Sequence, residues 1–154
     1  MDPETMFGED LFPSDQPWDV VFDSLWVSYS EFWLTASSDP NDITSVIPDG
    51  DSVAGNGKAV GIPTLISAGD IAVALSVWRR PAPDGVGNLL GGSRINAADR
   101  EVSLVNVEGR EPGPILVLPE ADEYQVKVWR LPSAGGPEEP ERYDIRVWPF
   151  STPK

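Results

Sequence analysis

The chain has 154 residues, with 16 Pro, 14 Gly, no Cys and no His, and its 25 acids against 11 bases leave a net charge of -14. Without His there is no Ser-His-Asp or Cys-His nucleophilic site, no imidazole general base and no His-ligated zinc, and without Cys there is no disulfide, thiolate nucleophile or Fe-S cluster. The length predicts a single domain that buries ~68% of its unfolded surface, and the charge argues against direct binding to nucleic acid or anionic membrane, both of which need Lys and Arg.

Residues 1–19 carry acids, prolines and isolated aromatics without a period, which predicts a flexible acidic arm that pins itself with Phe12 or Trp18. Met1 to Thr5, ahead of a second methionine at Met6, read as an added leader outside the fold. The domain is expected over residues 20–150, with 151–154 as a tail. Ser24–Tyr29 and Glu31–Thr35 alternate with β-branched and aromatic residues, so two strands, or one strand bent at Ser30, are predicted.

Ala36 to Gly57 is rich in Ser, Asp, Pro, Asn and Gly and predicts a long surface loop. A short strand is expected over Lys58–Ile62 and a strong one over Ile71–Trp78, ended by Arg79-Arg80-Pro81. Gly85 to Gly92 reads as a glycine-rich loop, and no Lys follows it to make a phosphate cradle. Further strands are expected over Arg100–Val107, Pro114–Leu118, Glu123–Arg130 and Glu141–Trp148, with a loop from Leu131 to Pro140. Short strands punctuated by prolines, and no sustained helical period, predict an all-β fold: an antiparallel β-sandwich with long loops and the acidic arm.

The last two strands are near copies, Tyr124-Gln125-Val126-Lys127-Val128-Trp129 and Tyr143-Asp144-Ile145-Arg146-Val147-Trp148, and are expected to pair. Alternation then puts Tyr124, Val126, Val128, Tyr143, Ile145 and Val147 on one buried face. The same parity places Trp26, Trp33, Trp78, Trp129 and Trp148 opposite the aliphatic stripe of their strands. Two readings follow: covered caps on the outer face, which is the commoner fate of large aromatics, or an exposed patch for a partner.

Twelve of the acids precede the first base, Lys58. A one-signed field of this kind speeds encounter with an oppositely charged surface, so a basic protein is the expected partner. The alternative is that the charge serves solubility alone. Asp49-Gly50-Asp51-Ser52 lacks the later ligands of an EF-hand, because Val53 and Val60 stand at the fifth and twelfth positions. Paired carboxylates arise by chance among so many acids, and Ser and Thr lack an activating base, so no catalytic residue, cofactor or metal is assigned. With no apolar run of 18 residues and an acidic start, the expected compartment is the cytoplasm.

Leu25-Trp26-Val27-Ser28-Tyr29-Ser30-Glu31-Phe32-Trp33-Leu34 resembles the opening strand pair of the competence protein J family, with its Tyr-x-x-Phe step. The segment from Leu118 to Pro132, followed by Glu141 to Trp148, resembles the closing hairpin of that family. The likeness covers about a third of the chain, at its two ends. It implies a small acidic inhibitor of a DNA-entry nuclease, and no set of inhibitory residues is carried over with it.

Together these readings predict a non-catalytic inhibitor or immunity protein for a basic nuclease or toxin. Asp15, Asp19, Asp23, Asp39, Asp42, Asp49 and Asp51 would steer and block, and Trp33 would anchor because Glu31 and Thr35 share its face. The alternatives are a β-sandwich module for a carbohydrate or calcium-dependent ligand, with loop aspartates binding the ion, and a structural or assembly component.

Overall fold

The computed structural model describes residues 7, 11–12, 16–36, 43, 46–48, 50–106, 115–120, 122–132 and 140–150. These form β1 (Asp19–Ser28), β2 (Glu31–Thr35), β3 (Ala54–Gly55), β4 (Ala59–Pro63), β5 (Ala68–Val77), β6 (Asn88–Ala97), β7 (Glu101–Val105), β8 (Leu116–Val117), β9 (Asp122–Arg130) and β10 (Glu141–Pro149). Among the described residues, no helix is long and apolar enough to cross a membrane.

The all-β expectation holds, but the architecture is one nearly closed, barrel-like sheet where a two-sheet sandwich was expected. Its order is β3-β4-β2-β1-β5-β10-β9-β6, with β7 on the other side of β2 and β8 on β7. The turn at Tyr29-Ser30 joins β1 to β2 through a single pair, Ser28 with Glu31, and the rest of β1 runs antiparallel along all of β5. Two contacts draw the margins together. Gly57 bridges Ile95 and accepts the Asn96 N–H at 2.7 Å, while Asn106 Nδ2 donates to the Trp26 carbonyl at 2.8 Å.

The sheet is also not wholly antiparallel, because β10 pairs with β5 in parallel, Tyr143 beside Val73 and Val147 beside Val77. Ile71 to Val77 is buried on both faces, the condition under which parallel pairing is found and under which a strand reads as a continuous apolar run. The β9–β10 hairpin pairs as expected, Ile145 with Val128 and Val147 with Val126. The predicted stripe of Tyr124, Val126, Val128, Tyr143, Ile145 and Val147 lies in the main core with Leu25, Phe32, Ile62 and Leu75.

The glycine-rich segment expected as a loop is largely strand β6. Gly91, at φ 129, marks a bulge against β9, and a Cβ at Gly92 would stand 3.0 Å from the Val126 carbonyl oxygen. Glycine here permits a close strand approach, so its presence signals a bulge inside a strand.

Outside the barrel a second apolar layer forms. Phe7, Leu11 and Phe12 are buried against Ala72, Ala74, Trp78, Leu131 and Trp148. Phe12 is thus the expected pin, and Phe7 and Leu11 pack beside it. Trp18 stays exposed, with the Arg79 guanidinium 5.4 Å from its ring. Trp78, Trp129 and Trp148 are covered by this layer and the loop after β5, and Trp33 by a smaller cluster with Val46, Ala59 and Val105. Of the five strand tryptophans only Trp26 is exposed.

Candidate functional site

Asp15, Asp39, Asp42 and Asp49 lie outside the described residues. Asp19 and Asp23 share the face of β1 that carries Leu25 and Val27, and each accepts the backbone N–H of the following residue at 2.9 Å. Glu31 opens β2, so the length of β1 separates it from Asp19 by ~30 Å at about 3.3 Å per residue. Asp51 precedes β3 and is exposed. The four described acids therefore do not all converge on one patch; Glu31 and Asp51 share one end of the barrel, and Asp19 lies at the other. Trp33 is buried, and its indole N–H donates to the Val46 carbonyl at 2.8 Å, so its ring holds the chain between β2 and β3 and does not project as an anchor.

What the fold does impose is a segregation of the exposed bases: acids occur at both ends of the barrel, Asp19, Asp99, Glu101 and Glu123 at the far one, but the exposed bases lie away from one end. That end is built by the Tyr29-Ser30 turn, the Thr64–Ser67 turn and the start of β10. Ser30 donates to the Ser67 carbonyl and Thr64 to the Ser30 carbonyl, while the Glu141 carboxylate accepts the Leu65 and Ile66 N–H groups at 3.0 and 2.8 Å. Glu31, Asp51, Asp70 and Glu141 lie at this turn end.

The exposed bases lie elsewhere. Arg79 and Arg80 follow the far end of β5, Arg94 and Arg100 sit at the far end of β6, and Lys58 occupies the β3–β4 turn that joins β6 at Ile95. The arginines of the turn end, Arg130 and Arg142, are buried and spent on internal carbonyls, those of Pro63 and Pro132.

At the mouth of the turn end, Arg130 Nε donates to the Tyr143 hydroxyl at 3.1 Å and Nη2 to the Pro63 carbonyl at 3.0 Å, with Nη1 4.0 Å from Asp51 Oδ1. Tyr143 in turn donates to Glu141 Oε1. Burial, reinforced by Glu141, pushes the Tyr143 hydroxyl well above the usual phenol range, so it stays a proton donor. A hollow of about 540 Å³ beside this network is lined by Leu65, Gly87, Asn88, Arg130, Leu131 and Pro132. Burial also raises the Glu31 carboxyl above its ordinary value.

This arrangement offers no activated nucleophile. Its groups hold the Leu65 turn in place and leave negative charge facing solvent. Among the described residues no three carboxylates gather as a metal site.

Sequence reasoning missed the burial of three arginines, Arg130, Arg142 and Arg146. Alternation puts Arg146 on the face opposite the buried stripe, and there it lies between the rings of Phe12, Trp78 and Trp129 at 5.2 to 5.6 Å, beside Asp144. The signal was present in the parity, since Trp78, Trp129 and Trp148 share that outer face with Arg142, Asp144 and Arg146.

No family model and no curated protein matches the chain. Two solved structures share its fold. The first is ComJ, inhibitor of the DNA degrading activity of NucA, from Bacillus subtilis, with TM-score 0.62 and 12% identity over 88% of this chain and 98% of that one. The second is the crocagin biosynthetic gene J protein, with TM-score 0.58 and 13% identity over 86% of this chain and 97% of that one. At such identity the likeness concerns the fold, and in fold this chain is similar, over nearly the whole length of both, to ComJ and to the crocagin protein.

Proposed function

We propose that this chain is a non-catalytic acidic protein that binds and inhibits a basic partner, a nuclease or nuclease toxin, in the cytoplasm. The observation that carries the reading is the likeness in fold to ComJ, an inhibitor of a DNA-degrading enzyme. The charge of -14 and the acidic turn end support it, because a nuclease groove made to hold phosphates is basic and attracts a carboxylate-rich surface. The likeness leaves the residues of contact open. Asp19, Asp23, Glu31 and Asp51 act in this reading by steering, and Asp15, Asp39, Asp42 and Asp49 add to the same field.

The test is a titration of the NucA-type nuclease of the source organism with the purified protein, following DNA degradation at low and at moderate salt. Inhibition that weakens as salt rises is expected. Undiminished degradation at a large excess of the protein would overturn the reading.

A second reading has one observation in its favour, the hollow beside Arg130, which has the size of a small-ligand site. There the protein would be a ligand-binding module. A thermal shift on adding candidate ligands, absent in Arg130→Gln, separates it from inhibition.

A further inference from the structure

The turn end presents large apolar side chains that the core does not use. Tyr29 is 78% exposed, Leu65 65% and Trp26 50%. They are neighbours in the fold: the paired hydrogen bonds between Ser30 and the Thr64–Ser67 segment hold the two turns side by side, and Trp26 stands behind them on the outer face of β1, across from Asp70.

The backbone under Tyr29 is unusual. Tyr29 and Ser30 are both left-handed, with φ 57 and 60, between the paired residues Ser28 and Glu31. A two-residue hairpin turn of this kind is ordinarily made by Asn-Gly or Asp-Gly, because those residues tolerate positive φ. A bulky aromatic there is strained. Its ring gains almost no burial in return, so the demands of folding do not account for it. Display of the ring to something outside the chain does.

We infer that Tyr29, Leu65 and Trp26 form the apolar centre of the surface on which this protein docks a basic partner protein, with Glu31, Asp51, Asp70 and Glu141 as its charged rim. The inference rests on the inhibitor reading and adds where the partner sits. Charge complementarity selects the occupant: among the described residues, the far end mixes exposed bases with acids such as Asp19, Asp99 and Glu123, while this end holds four acids and no exposed lysine or arginine. Protein interfaces of high affinity are built this way, an aromatic centre supplying the energy of desolvation and a charged rim supplying rate and register. A ring carried on a narrow two-residue turn also suits a concave partner, such as a groove that otherwise holds a nucleic-acid strand.

The same purified nuclease is titrated with the wild-type protein and with Tyr29→Asn, Leu65→Ser, Trp26→Ser and Arg94→Ala, the last at the opposite end, and Kd and Tm are measured for each. Tyr29→Asn is expected to hold or raise Tm while weakening binding at least tenfold. Leu65→Ser and Trp26→Ser are expected to weaken it by a smaller factor, and Arg94→Ala to leave it unchanged. If the wild-type protein inhibits and folded Tyr29→Asn and Leu65→Ser bind as tightly, the docking surface is refuted and the inhibitor reading stands. If the wild-type protein does not bind the nuclease at all, the inhibitor reading fails and the inferred occupant fails with it.

Discussion

Arg146 and Asp144, two residues apart on β10, face the same way and meet in a buried ion pair, with Nη2 2.9 Å and Nε 3.1 Å from Oδ2. The remaining guanidinium donors reach the Leu11 carbonyl at 2.9 Å and the Pro83 carbonyl at 2.8 Å. One side chain thus ties the N-terminal arm and the loop after β5 to the outer face of the central strands. Burial raises the Asp144 carboxyl, and the Arg146 hydrogen bonds and charge act against that rise.

Breaking this pair is therefore costly. Arg146→Ala strands a buried carboxylate and two carbonyls, and the expected loss of unfolding free energy is about 3–5 kcal/mol. Urea denaturation measures it, and limited proteolysis should show faster cleavage ahead of Trp18. A loss below 1 kcal/mol would mean that the arm is held by apolar contacts alone.

Trp33 tests what holds the loop ahead of β3. Trp33→Phe removes the indole donor and leaves the buried Val46 carbonyl unpaired, an expected cost of about 1–3 kcal/mol. Binding to the nuclease should not change beyond this loss of stability, as expected of a buried ring. A tenfold loss of affinity at unchanged Tm would restore Trp33 to the interface.

Gly87 lies at φ 96, and a Cβ there would run into the Arg130 carbonyl oxygen. Gly87→Ala combines a left-handed alanine with that clash, for an expected loss of roughly 2–4 kcal/mol. Thermal unfolding would reveal it, and a Tm equal to wild type would show that β6 starts differently.

Glu31 links stability to pH. Because its folded carboxyl is raised above the ordinary 4.5, ionising it opposes folding. Its contribution is fully present below that value and is lost as pH rises through the folded one. Glu31→Gln should accordingly raise Tm at pH 7, and the gain should vanish at pH 4 and below. A gain that persists at low pH would point to packing and not charge.

Steering has its own signature. Asp70→Lys places a base beside Trp26 at the turn end, and is expected to slow association with a basic nuclease several-fold at low salt, with little effect at high salt. Stopped-flow measurement at two ionic strengths checks this, and equal rates for the two proteins at low salt would remove the turn end from the encounter.

The charge excess, the exclusion of His- and Cys-based chemistry, the β class and the final hairpin were all legible in the order of residues. Each depends on composition or on alternation over a few neighbours; the register of Ile145 with Val128 follows from two matched strands close in sequence. The tertiary structure alone decided that β5 and β10 pair in parallel and that the sheet nearly closes, since both rest on contacts between segments distant in sequence, Val77 with Val147 and Gly57 with Ile95. It decided, too, which tryptophans face water. Parity assigns all five to one side of their strands, but only the packing of Phe7, Leu11, Phe12 and the loop after β5 against that side, with Arg146 clamped among the rings, covers Trp78, Trp129 and Trp148. Trp26 lies on β1 near the turn, where the described residues leave it half exposed. Alternation can name a face of a strand, and only the long-range fold supplies what lies on top of it.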